Sequence, residues 1–266
     1  MSLYADRATI MLHRMVKEMY WKNIELARVT KCAAQLLMTG VSTNSLPDSI
    51  LETCIQSQHP DGGWVSVVDT IWNAKFLTFF NDTEDIVSNA IKYLNNNKVS
   101  EGFGRSKRDI PRIPVSGIAF YLLPQLASIQ GLNWLEDLWI SEKNGLTYKA
   151  AYTLLAFHEN NYSPKSSFLI NDILEWLVSQ QDENGGFAPW KNHPVNANVY
   201  CTAVALISIL KYVDQFPQYL DSAEMAYNNI VNTQLPNGLW CYHELEDGGA
   251  WGLAALTQYE RKFTIN

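Results

Sequence analysis

An aspartate, a knot of cations and a set of aromatic rings are the parts of this sequence equipped for chemistry. Asp69 stands in Ser66-Val67-Val68-Asp69-Thr70, at the opening of an apolar helical stretch. A carboxylic acid kept protonated there by burial would be a proton donor; an aspartate in the same place also caps a helix and complements its dipole. Arg105, Lys107, Arg108 and Arg112 put four cations into eight residues of a chain whose net charge is −7. Beside the helix that opens at Ile113-Pro114 they would favour a phosphate, diphosphate or carboxylate, and a solvated charged loop is the other reading.

Other candidates are weaker. Asp82-Thr83-Glu84-Asp85 reads as capping at the start of an outer helix rather than as a magnesium-diphosphate site. Cys241-x-His243 near Asp247 offers a possible metal cluster, but a Cys and a His are two ligands where a zinc centre takes three or four from the protein, so no metal and no cofactor is expected. Trp72, Phe76, Phe80, Phe120, Tyr121, Tyr148, Tyr152, Tyr200 and Trp251 would stabilise a cation if they faced one cavity, and any one of them would equally suit a large core.

The elements that must position these residues come from a repeat. Gln58-His-Pro-Asp-Gly62-Gly-Trp64, Gln181-Asp-Glu-Asn-Gly185-Gly-Phe187 and Gln234-Leu-Pro-Asn-Gly238-Leu-Trp240 share the pattern Q-x3-G-x-aromatic. Weaker copies at Gly102 and Gly145 bring the glycine spacings to 40, 43, 40 and 53 residues, one helical hairpin per unit. Glycine supplies the left-handed turn, the ring packs under it, and the glutamine amide bonds freed carbonyls. Between the turns, residues 5–22, 46–57, 83–96, 132–141, 164–180 and 221–233 have one polar face and form an outer ring. Residues 24–39, 68–80, 114–129, 147–158, 197–212 and 249–260 are more uniformly apolar and form an inner ring, with a kink expected at Pro124. The expected fold is all-α, an (α/α)6 toroid of six helical hairpins around a central cavity, in one domain over residues 1–266, with the mouth at the glycine turns.

Composition agrees with a globular chain: 47% of the 266 residues are hydrophobic and 18% charged. The acidic balance disfavours nucleic acid. Charges at Asp6, Arg7, Arg14 and Lys17 break any apolar core of a signal peptide, so none is expected; the longest apolar runs fall short of a membrane span, and a cytoplasmic location is expected. Cys32, Cys54, Cys201 and Cys241 are too scattered for a disulfide framework.

The three glutamine turns resemble the QW repeats of squalene-hopene cyclases, and so the superfamily those enzymes share with protein prenyltransferases; lantibiotic cyclases have a similar toroid. The resemblance covers almost the whole chain. Class II terpene cyclases protonate an alkene or epoxide through a DxDD motif where an inner helix opens, and only its last aspartate has a counterpart here, Asp69, with Val68 at the place of the central one. Gly104 to Pro111 is similar to the loop before the prenyltransferase zinc ligands, with Pro111 where a cysteine belongs, and Trp240-Cys241-Tyr242 resembles a lantibiotic-cyclase zinc phrase whose Cys-His-Gly companion is missing. The resemblance implies a terpenoid cyclase-like enzyme acting on an isoprenoid or similar apolar chain. Asp69 would be the acid, and Trp72, Phe76, Phe120, Tyr152, Tyr200, Trp251, Arg105, Arg108 and Arg112 would contact the substrate. A noncatalytic toroid that binds an apolar or peptide ligand, and a zinc-dependent prenyltransferase- or cyclase-like enzyme, stand as alternatives.

Overall fold

The structure is a computed structural model that describes residues 2–142 and 145–264. Twelve α-helices lie among them, and each repeat contributes an outer helix and then an inner one. The outer helices are α1 (Leu3–Trp21), α3 (Asp48–Gln56), α5 (Glu84–Asn96), α7 (Ile129–Glu142), α9 (Leu169–Ser179) and α11 (Leu220–Asn232). The inner helices are α2 (Leu26–Met38), α4 (Val67–Leu77), α6 (Ile113–Leu122), α8 (Thr147–Glu159), α10 (Val199–Leu210) and α12 (Leu245–Thr264). Each inner helix packs on the next and α12 returns to α2, which closes an α/α toroid. Because outer and inner helices alternate, the six inner helices run parallel, with their N-termini at one mouth.

Burial explains which helix goes where. α10 buries every residue except Tyr200 and α6 every residue except Pro114, whereas α5 buries only Ala90 and Leu94. A helix apolar on all sides needs neighbours on all sides, and one with a single apolar stripe needs them on one.

The glutamine turns are clasps, and their geometry repeats. Gln58 Nε2 donates to the carbonyls of Gly62 and Ile86, Gln181 Nε2 to those of Gly185 and Ser222, and Gln234 Nε2 to those of Gly238 and Tyr4, all at 2.9 Å. One bond closes the turn and the other ties it to the next outer helix. The third clasp therefore fastens α11 to α1 across the seam of the ring. Trp64 Nε1 donates to the Cys54 carbonyl and Trp240 Nε1 to that of Ile230, at 3.1 and 2.7 Å, so both indoles are satisfied beneath their turns. Trp64, Phe103 and Phe187 also donate their backbone N–H to a hydroxyl in the following inner helix: Thr70, Ser116 and Thr202, at 2.9, 2.8 and 3.0 Å. The weak copy at Phe103 thus keeps this bond although it lacks the glutamine.

Gly185 has φ +81°, and a Cβ there would lie 2.2 Å from the Met225 carbonyl oxygen of α11. Gly185→Ala is expected to lower the melting temperature by several degrees, since strain and a backbone clash add. An unchanged melting curve would show that this clasp does not hold α9 to α11.

Of the helix boundaries that differ from the sequence expectation, two bear on the cavity. α6 is not kinked at Pro124: it ends at Leu122, and Pro124–Leu126 is a separate 3-10 turn, because proline lacks the N–H needed to continue the ladder. α12 starts at Leu245, four residues earlier than expected, with Glu246 and Asp247 in its first turn where the dipole favours acids.

Candidate active site

Inside the mouth, the first turns of the inner helices enclose a cavity of about 450 Å³, well within the size of small-molecule sites, about 300–1,000 Å³. Its wall is aromatic. Trp251 of α12 meets Trp72 of α4, Tyr152 of α8 and Tyr200 of α10 edge to face, at ring separations of 6.2, 6.3 and 5.6 Å. The Tyr152 and Tyr200 hydroxyls are hydrogen-bonded at 2.9 Å. Burial pushes both phenols far above the ordinary tyrosine range, so both stay neutral and offer ring faces without adding an anion. Tyr242, stacked on Tyr200 at 5.5 Å, is pushed up for the same reason.

The charged end of the cavity is built from Lys31, Asp247, Arg105 and Arg112. Lys31 projects from α2, with its Nζ 2.7 Å from an Asp247 oxygen and 5.6 Å from the centre of the Trp72 ring. Asp247 is the one carboxylate lining this cavity among the described residues. Behind the pair, a chamber of about 130 Å³ lies between α2 and α12. Arg28 there binds Glu246 and Glu244, and the Glu246 hydrogen bond is the main cause of a raised guanidinium pKa. Gln35, 2% exposed, has no hydrogen-bond partner for either amide atom among the described residues.

The cationic loop is folded around Asp109. This carboxylate accepts from the Arg105 backbone N–H at 3.1 Å and from Arg112 through both oxygens at 2.8 Å. The backbone bond is the first cause of its lowered pKa and Arg112 the next favourable one. Arg105 makes no side-chain ion pair among the described residues and, with Arg112, reaches the cavity. Lys107 and Arg108 are exposed and do not.

Of the residues expected from sequence, Trp72, Tyr152, Tyr200, Trp251, Arg105 and Arg112 come together at this cavity, and Asp69, Phe76, Phe120 and Arg108 do not. Ser66 Oγ accepts the Asp69 N–H at 3.1 Å and donates to the Asp69 carboxylate at 2.7 Å, so the aspartate is engaged at the start of α4. Phe76 lies one turn below Trp72, fully buried against Phe80 at 4.9 Å, where packed side chains fill the ring. Phe120 faces away from the cavity toward Phe103, 5.9 Å off, under the preceding turn.

Sequence reasoning missed Lys31 and the role of Asp247. A lone lysine inside the apolar run from Val29 to Leu37 was the available signal for the first. For the second, the apparent helix start at residue 249 hid a carboxylate that lies on the inner helix itself. Cys241 and His243 are exposed, and no three His, Cys, Asp or Glu side chains among the described residues are grouped to hold a metal ion. No described helix is long and apolar enough to cross a membrane.

No family model matches this sequence, and no curated protein does. Solved structures do. The apo structure of the type II terpene cyclase MstE from Scytonema superposes with a TM-score of 0.72 over 97% of both chains, at 16% identity. The chain has the fold of a type II terpene cyclase. Two variants of MstE, in complex with its product merosterolic acid A and with its substrate geranylgeranyl dihydroxybenzoate, each give a TM-score of 0.67 at 16% identity, over 89% of this chain and 86% of the other.

Proposed function

We propose that this chain is a terpenoid cyclase-like enzyme of the squalene-cyclase repeat superfamily, which folds a linear isoprenoid in the central cavity and starts its cyclisation by protonation. The observation that carries the reading is an aromatic cavity whose wall holds, among the described residues, a single carboxylate, Asp247. That MstE takes a geranylgeranyl substrate supports an isoprenoid of similar length.

In the proposed step the Asp247 O–H breaks, its proton forms a C–H bond at the less substituted carbon of an alkene, and the π electrons leave a tertiary cation. Further double bonds attack that cation, and loss of a proton from the last cation to a base completes an isomerisation. The faces of Trp72, Trp251, Tyr152 and Tyr200 favour the passing positive charge through their quadrupoles. A chain that fills the cavity would also displace the water that would otherwise trap the cation. Arg105 and Arg112 hold the head of the substrate at the mouth; Arg108 has no part in this.

One observation favours the second reading, a toroid that binds such a chain without converting it: Asp247 is already engaged by Lys31 at 2.7 Å. The test is to offer the purified protein linear C15 and C20 isoprenoids as alcohols, carboxylic acids and diphosphates, and to look for cyclic isomers by mass spectrometry. Cyclic products of unchanged mass support the enzyme. Tight binding with no product from any of them supports the binder.

A further inference from the structure

Lys31 is placed to serve two anions. Among the described residues it is the only cation in the wall that is paired with the acid; the side chains of Lys31 and Asp247 are 30% and 23% exposed, while the Asp247 oxygen that meets Lys31 is itself buried. Arg105 and Arg112 line the same space. Asp247 meets Lys31 and Asp109 meets Arg112, so Arg105 leaves this end net positive, and the N-termini of six parallel helices add to it. An apolar chain ending in a carboxylate would bring its head to that end.

Two carboxylates then compete for one ammonium group in a space the chain has emptied of water, and like charges brought together in that way do not both stay ionised. The other groups facing Asp247 are poorly placed to take the proton. Cys32 of α2, Tyr152 of α8, Tyr200 of α10 and Tyr242 before α12 are all pushed up by burial and are already protonated. Arg28 of α2 is held by Glu244 and by Glu246, the neighbour of Asp247 on α12.

We propose that the site is specific for isoprenoids with a carboxylate head, and that this head draws Lys31 away from Asp247 so that binding of the substrate itself loads Asp247 with its proton from solvent. Lys31 is thereby a positioning residue that keeps the empty site unarmed. The inference rests on the reading of Asp247 as the proton donor, and it resolves the conflict between that role and the ion pair.

The experiment is calorimetric and does not need turnover. Geranylgeranoic acid and geranylgeraniol are titrated into the protein at pH 7 in buffers of different ionisation enthalpy, which reads the protons taken up per ligand bound. The native protein is expected to take up close to one proton with the acid and almost none with the alcohol. Asp247→Asn should bind the acid with the uptake lost. Lys31→Met should bind the acid at least tenfold more weakly than the native protein, also without uptake, while its affinity for the alcohol stays within about threefold and vouches for its fold; Lys31→Arg should restore the preference for the acid. Uptake that persists in Asp247→Asn, or equal affinity of native and Lys31→Met protein for the acid, overturns the inference. Binding of both probes alike with no uptake overturns it and leaves the isoprenoid cavity standing, whereas binding of neither removes both.

Discussion

Asp247→Asn is expected to lower isoprenoid cyclisation by a factor of about 10²–10⁴, the usual contribution of a positioned general acid, while ligand affinity changes by no more than about threefold. Asparagine has nearly the same volume and keeps the first turn of α12, so the loss would fall on the chemical step rather than on binding. Asp69→Asn is the informative control. Asp69 exchanges its bonds with Ser66 at the start of α4 and is absent from the cavity wall, so its replacement should cost only about 0.5–1 kcal/mol of stability, as for a weakened cap. Product yield per enzyme by mass spectrometry and a thermal melt of each variant separate the two. Cyclisation that survives in Asp247→Asn and disappears in Asp69→Asn would return the acid to α4.

Trp240→Ala is expected to be the most damaging single truncation of a clasp, at about 3–5 kcal/mol, which for a chain of this size lowers the melting temperature by roughly 10 °C. The ring is 1% exposed, and a Cβ on Gly252 of α12 would come within 2.5 Å of it, so the indole lies directly on the inner helix. Truncation leaves a void there and removes the shorter of two hydrogen bonds to the Ile230 carbonyl, leaving that from Thr233 Oγ1 at 3.3 Å. Trp64→Ala should follow the same course. Ligand binding should fall only in proportion to unfolded protein; a variant that melts like the native chain and has lost its ligand would mean that the ring serves the cavity instead of the turn.

The ring was legible in the sequence because its cause is local. A glycine with a glutamine four residues before it and an aromatic two after it fixes a turn, and turns at intervals near 40 residues leave room for one pair of helices each. The cavity was legible only in part because depth along a helix is set by what fills the ring below. Trp72 and Phe76 share a face of α4, yet one lines the cavity and the other is core, and no residue near either says where the floor lies. Phe120 was misjudged for a different reason: α6 is apolar all round, so its pattern does not tell the side facing the cavity from the side facing the outer ring. Lys31 and Asp247 are 216 residues apart in the chain and acquire meaning only as a pair, which one-dimensional spacing does not reveal.

The seam of the ring also has a consequence for synthesis. In an open array of repeats each unit finds its partner as soon as the next one is made. Here the apolar stripe of α1, with Ala5, Ala8, Leu12 and Val16, packs on α12 as well as on α2. Its last fastenings, Gln234 to the Tyr4 carbonyl and Ser2 to Glu260, join residues more than 200 positions apart. α1 therefore waits, one side uncovered, until α12 has been translated. Until then the nascent ring is exposed to aggregation, and it closes only when α12 drops into the gap.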